Sequence, residues 1–106
     1  MSIIVGIPEL AAAVAQRPWG YLLTVGPDLR VHALAVVASY EGGRFEITAG
    51  RSTCSNATER PDVTMLFPPL DEGGMSLIVD GTAEIEGATV RVTPTGAVLH
   101  RAAPAS

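Results

Sequence analysis

The stretch TAGRSTCSNATERPDVTMLFPP, residues 48–69, decides how the rest of the chain is read. Thr48 and Ala49 finish the alternating run RFEITA, 44–49, in which Phe45 and Ile47 share one face. That period of two predicts a half-buried strand. Gly50 breaks it. Residues 55–60, SNATER, predict one or two helical turns, and Pro61 stops them. VTMLF, 63–67, predicts a strand again. A short helix therefore separates two strands. The hydroxyl and Arg residues at its start suit an anion held by backbone N–H groups. They suit ordinary turn and N-cap chemistry equally well.

Working outward, PELAAAVAQRP, 8–18, predicts a helix with Pro8 in its first turn and Pro18 at its end. WGYLLTVG, 19–26, predicts a strand closed by Pro27-Asp28. VHALAVVASY, 31–40, is apolar on both faces, as expected of a strand covered on both sides. On the other side, PPLDEGG, 68–74, is the expected mobile loop. MSLIVDGTAEIE, 75–86, alternates well, and Gly81 inside it predicts a bulge in that strand. TVRVTPTGAVLH, 89–100, predicts a last strand broken or edged at Pro94. Residues 101–106 are expected to be a disordered tail. The sum is one domain, 1–106, mainly β with few helices. It has a short N-terminal helix, six strands, and a short helix between strands 3 and 4. Closing such a thin apolar sheet into a barrel removes its edges.

The chain has 106 residues, of which 47% are hydrophobic, with a formal net charge of −4. A domain of this size buries roughly 65% of its extended surface, enough for a thin core. The apolar excess predicts a partner surface, and self-association is its simplest use. All 7 basic residues are Arg, so lysine Schiff-base chemistry and a phosphate-loop lysine are excluded. No basic stripe exists for nucleic acid. No long apolar segment predicts a membrane helix, and a single Cys points to a reducing compartment, so a cytoplasmic protein is expected. Cys54, His32 and His100 lie too far apart in sequence to make a metal site. His32 is a candidate proton donor, or a plain strand histidine. Cys54 near a helix start is a candidate reactive thiol, or a small inert side chain. Trp19, Tyr21 and Tyr40 can stack on a ring or pack in the core. No catalytic residue is singled out.

The order and spacing of these pieces resemble a known family. A Pro-capped helix, LLTVGPDLRVHALAV (22–36), EGGRFEITAGRS (41–52), RPDVTMLF (60–67) and IVDGTAEI (78–85) are similar to the pyridoxamine 5'-phosphate oxidase-like, FMN-binding split-barrel proteins. The resemblance spans about residues 8 to 99. It implies a six-stranded split β-barrel that forms a homodimer with flavin sites at the interface. It implies that Thr48, Arg51, Ser52, Thr53, Ser55 and Asn56 hold the flavin phosphate, with Arg60 as a second cation. The flavin ring is expected along the second and third strands. The implied activity is hydride or electron transfer to a small molecule, with FMN as cofactor and a deazaflavin as the alternative. STCSN, 52–56, stands where many members carry Lys or Arg-Lys. That departure keeps two alternatives open: a non-catalytic flavin or haem binding module, and a structural dimer with a degenerate pocket. The chain lacks the longer C-terminal arm of the oxidases proper, so vitamin B6 synthesis is not expected.

Overall fold

A computed structural model describes residues 2–104. The elements run β1 (Ser2–Val5), α1 (Ile7–Ala15), β2 (Gly20–Val25), β3 (Val31–Val36), β4 (Ser39–Glu41), β5 (Arg44–Thr48), α2 (Arg51–Glu59), β6 (Asp62–Phe67), β7 (Met75–Glu86) and β8 (Thr89–Arg101). All strand pairs are antiparallel, in the order β3-β2-β6-β7-β8-β5-β4, with β1 also on β8. The sheet curls into the half-barrel of a mainly β split barrel. Its two terminal strands, β3 and β4, share no ladder with each other. Only Val37 and Ala38 join them. That seam is the split.

Alternation builds the inside. The register lines up Leu34, Leu22, Met65, Val79, Ala97 and Val5 across six strands on the inner face. Phe45, Ile47, Phe67, Val90 and Val92 complete the core. Phe45 and Phe67 stack with ring centroids 5.9 Å apart, and Tyr40 covers Phe45 at 4.6 Å. Burying each such ring stabilises the fold by about 1.5–3 kcal/mol. α1 packs on β8 and β4 through Leu10 and Val14. α2 packs on β7, β2 and β8, burying Asn56 and Ala57.

The expected mainly β architecture is present, with differences in detail. Among the described residues there are eight strands in place of six. β1 was not anticipated, and residues 31–40 divide into β3 and β4 at the seam. α2 begins at Arg51, four residues before the expected turns. β8 runs unbroken through Pro94 and includes Arg101; residues 102–104 have no regular structure, and 105–106 lie outside the described residues. Pro94 is tolerated because β8 pairs with β5 over 89–92 and with β1 over 97–100 on that side, so no ladder bond is needed between them.

The bulge exists, but its extra residue lies in β8. Asp80 faces Gly96 while Gly81 faces Pro94, which leaves Thr95 unpaired. Through this point β7 keeps its odd positions inside. β8 switches from Val90, Val92 and Pro94 to Ala97 and Leu99. Gly81 lets the backbones close: a Cβ there would stand 2.6 Å from Val92 Cγ1 and 2.7 Å from the Thr93 carbonyl oxygen.

Loop 68–74 is pinned, contrary to its composition. The Arg17 guanidinium donates to the carbonyls of Pro68 and Met75, both at 3.0 Å, clasping its two ends. Partial burial lowers the Arg17 pKa from its ordinary value, but the group stays charged. Arg101 donates to the Gly73 carbonyl at 2.8 Å. Among the described residues, no helix is long and apolar enough to cross a membrane.

Candidate functional site

β5 ends at Thr48, and the chain passes through Ala49 and Gly50 into α2. Gly50 is the N-cap, in extended backbone (φ −77°, ψ 176°), and no side chain caps the helix. The Cys54 N–H closes onto the Gly50 carbonyl at 3.0 Å. The N–H groups of Arg51, Ser52 and Thr53 precede the helical ladder and point out of the helix start. Nothing lies within 4 Å of where a Cβ on Gly50 would sit, so the approach is open. Outward N–H groups, the positive end of the helix dipole and Arg51 at the first position are the donor types that anions require. Arg51 enters no ion pair among the described residues.

Two cavities meet at this point. The slit cavity, about 490 Å³, lies between Leu34–Val37 of the seam side and Ser39, Glu46, Ile47, Thr48 and Thr89. The helix cavity, about 440 Å³, lies between Arg51, Cys54, Ser55 and Thr58 of α2 and the turn Gly87-Ala88. Ala49 and Gly50 line both. The cavities differ in charge. The slit cavity holds one charged side chain, Glu46, whose Oε2 accepts from Arg91 Nε at 2.9 Å. Arg91 also reaches Glu86 at 3.4 Å, and the hydrogen bond to Glu46 raises its pKa, so it stays charged. The helix cavity holds one charged side chain, Arg51.

The two terminal strands contribute backbone as well. β3 pairs only with β2, so one edge of Leu34–Val36 presents unpaired N–H and C=O groups beside the slit cavity.

No family model matches the chain. It is 40% identical over 120 aligned residues to uncharacterised proteins of Mycobacterium bovis and Mycobacterium tuberculosis, covering 96% of this chain and 84% of each of them. The chain belongs to the family of these mycobacterial proteins. Solved structures show what fold this family has. An FAD-binding protein of Mesorhizobium loti superposes with a TM-score of 0.74 at 10% identity, covering 97% of this chain and 98% of the other. A candidate pyridoxamine 5'-phosphate oxidase of Listeria innocua superposes at 0.72 and 15% identity, covering 88% and 96%. An FAD-binding protein of Mycobacterium smegmatis superposes at 0.69 and 20% identity, covering 97% and 100%. The fold is the pyridoxamine 5'-phosphate oxidase-like split barrel.

Within this split barrel the anticipated site residues separate. Thr48 lines the slit cavity; Arg51 and Ser55 line the helix cavity. Ser52 and Thr53 stand in the first turn of α2 and line neither cavity. Asn56 departs from expectation. It is 6% exposed and donates from Nδ2 to Thr24 Oγ1 at 3.3 Å, inside the barrel. At 100° per residue, Arg51, Ser55 and Thr58 share one helix face, and Asn56 falls on another. Arg60 departs as well. It is the C-cap of α2, roughly 13 Å along the axis from the open end, and its Nε donates to the Val25 carbonyl at 2.6 Å.

Neither imidazole lines the slit cavity or the helix cavity. His32 sits on exposed β3, 3.9 Å from Asp28, and His100 meets Ser2 Oγ at 3.1 Å. A haem in either cavity would lack an axial imidazole. Cys54 is half-buried, with Sγ 3.6 Å from the Ala49 carbonyl. No group of three His, Cys, Asp or Glu is placed to hold a metal among the described residues. Glu46, Ser39, Thr58, Thr89 and the Gly87-Ala88 turn also line the cavities and were not singled out by the sequence reading. The alternation in RFEIT does put Glu46 and Thr48 outside, but only the β4-β5-β8 register brings them to the seam.

Proposed function

We propose that this split barrel is a flavin-binding oxidoreductase, with the flavin phosphate on the open start of α2 and the ring in the slit cavity. The carrying observation is the uncapped helix start at Gly50, flanked by a cavity of about 490 Å³ whose wall is a free strand edge. The donor set fits a phosphate: the N–H groups of Arg51, Ser52 and Thr53, plus the guanidinium fork of Arg51. Two proteins of the same fold, from Mesorhizobium loti and Mycobacterium smegmatis, are FAD-binding, which supports a flavin as the ligand.

Each part of the chain has a task in this reading. Arg51 and the first turn of α2 bind and orient the phosphate. The free edge of β3 offers alternating N–H and C=O groups to the polar edge of a planar heterocycle. Leu34, Val36, Val37 and Ile47 keep water from the ring. Glu46, fixed by Arg91, repels an anion from the slit cavity and so sets which end of the ligand enters. When bound, the flavin supplies hydride or electron transfer. FMN is the minimal ligand that satisfies these contacts.

The working unit in this proposal is a homodimer. On the outer face, Ala35, Tyr21, Leu66, Ile78, Val98 and Ile4 form one apolar row across six strands. Ile4 is 85% exposed. Ala35 belongs both to this row and to the slit cavity, so a second copy seated on the row also closes the site.

Flavin-stripped protein titrated with FMN tests the reading. Saturable binding is expected, followed by flavin absorbance and Trp19 fluorescence. Arg51→Ala should weaken it by about tenfold or more, the loss of a charge-assisted hydrogen bond. Absence of FMN binding at roughly tens of micromolar, weaker than any ordinary cofactor site, sinks it.

A further inference from the structure

The slit cavity, about 490 Å³, has a polar floor and an apolar rim. Strand register builds the floor. Ser39 on β4 pairs with Glu46 on β5, and Thr48 on β5 pairs with Thr89 on β8. Glu46 and Thr48 are two residues apart, so all four side chains share the outer face of the sheet. Cross-strand partners stand roughly 4.5–5.5 Å apart at Cβ, and residues i and i+2 about 7 Å apart. One small head group can therefore meet Glu46 and a hydroxyl together. Leu34, Val36, Val37 and Ile47 supply the apolar rim.

Among the described residues, Glu46 is the one charged side chain lining this cavity. Arg91 holds it through Oε2 at 2.9 Å, which leaves Oε1 for another donor. Arg91 does not cancel the local charge. The same guanidinium reaches Glu86 at 3.4 Å, and Glu84 pairs with Arg91 across β7 and β8. Carboxylates thus outnumber the cation beneath the floor, on a chain of formal net charge −4. Such a field draws positive ligands and opposes negative ones.

We infer that the floor of the slit cavity receives the head of a small organic cation, an ammonium on an apolar body, and that this cation is the molecule that meets the flavin. Its role toward the flavin rests on the reading above, in which the ring takes the side of the cavity along the free edge of β3. The binding of the cation rests on the cavity alone. An ammonium carries three donors. Glu46 Oε1 accepts one, and the Ser39 and Thr48 hydroxyls flank it for the others. Arg91 fixes the carboxylate in advance, so little side-chain freedom is lost when the cation arrives.

The test is calorimetric titration of FMN-loaded protein with benzylammonium, benzyl alcohol and benzoate, which share one ring and differ in head charge. With FMN bound, its phosphate occupies the start of α2, and benzoate then reports on the slit cavity. Benzylammonium is expected to bind about fivefold or more tighter than benzyl alcohol, a modest factor because Glu46 is half exposed to water. Benzoate should bind most weakly. Glu46→Gln should remove the preference, and Glu86→Gln, which also loses a contact to Arg91 but lies outside the cavity lining, should keep it. Glu46→Asp, with its carboxylate drawn back by one methylene, serves if Glu46→Gln does not fold. FMN binding with no preference for the cation, or a preference that the Glu46 variants leave intact, overturns this inference and leaves the flavin reading standing. If FMN does not bind and the unloaded protein still prefers benzylammonium to benzyl alcohol through Glu46, the flavin reading falls and the cation site stands without it.

Discussion

One curled sheet presents two unlike outer faces. Across β3, β2, β6, β7, β8 and β1 the outer row is Ala35, Tyr21, Leu66, Ile78, Val98 and Ile4. Across β4, β5, β8 and β7 it is Ser39, Glu46, Arg91 and Glu84. β7 and β8 take part in both. The change of character falls at the bulge, where Thr95 is the unpaired residue. Inside, the same strands carry an unbroken apolar lining on both sides of it. The inner face thus answers to one demand, burial, while each half of the outer face answers to its own use. Where the outer face is charged, the slit cavity opens beside it. Where it is apolar, it matches a surface that another chain would cover.

The largest effect should come from forcing the strands apart where the halves meet. Gly81→Val adds a side chain where a Cβ alone would stand 2.6 Å from Val92 Cγ1 and 2.7 Å from the Thr93 carbonyl oxygen, so β7 and β8 must part at the bulge. A loss of about 4 kcal/mol or more is expected, a large part of a domain's total stability of roughly 5–15 kcal/mol. Urea unfolding of the soluble fraction measures it, and an unchanged midpoint would show that the close approach at Gly81 does not hold the two strands together.

Next comes the apolar half itself. Ile78→Arg places a charge at the centre of the row. A dimer should fall to monomers in light scattering with the fold retained, a loss of about 2 kcal/mol or more at a central interface position. If the mass is already that of one chain in the wild type, the row has another purpose.

A smaller effect is expected at the clasp. Arg17→Ala leaves the Pro68 and Met75 carbonyls without their donor and should cost roughly 1–2 kcal/mol, since the site is partly open to water. Protease cleavage within 68–74 should accelerate by more than cleavage elsewhere. The smallest effect is expected on the charged half. Glu84→Ala should leave association unchanged and stability within about 0.5 kcal/mol. If Glu84→Ala dissociates the dimer and Ile78→Arg does not, the two faces have been assigned the wrong way round.

The contrast between these faces was only half legible in the amino-acid order. Period-two runs placed Phe45, Ile47, Leu77 and Val79 together inside, because alternation is a local property. The outer rows depend on register, and Ile78 read alone was merely an interruption in a polar series. β1 and β4 escaped notice because four and three residues are too few to show a period. The start of α2 was misplaced for a different reason. Ser52 and Thr53 look like caps, whereas the cap is Gly50, which carries no side-chain signal. That shift of four residues hid the helix phase, and with it the inward course of Asn56. Loop 68–74 reads as mobile from its Pro, Gly and acidic residues, since carbonyl capture by two distant arginines leaves no mark in its composition.

The seam at Val37 and Ala38 has a mechanical consequence. Two residues carry the chain from the last residue of β3 to the first of β4, a reach of at most about 11 Å however far it is stretched. The sheet is therefore a ring broken in its hydrogen bonds but riveted at one point. Thermal gaping of the barrel must be smallest at that rivet and grow with distance from it. The wall of the slit cavity nearest Val37 is then the part of the opening least free to change its width.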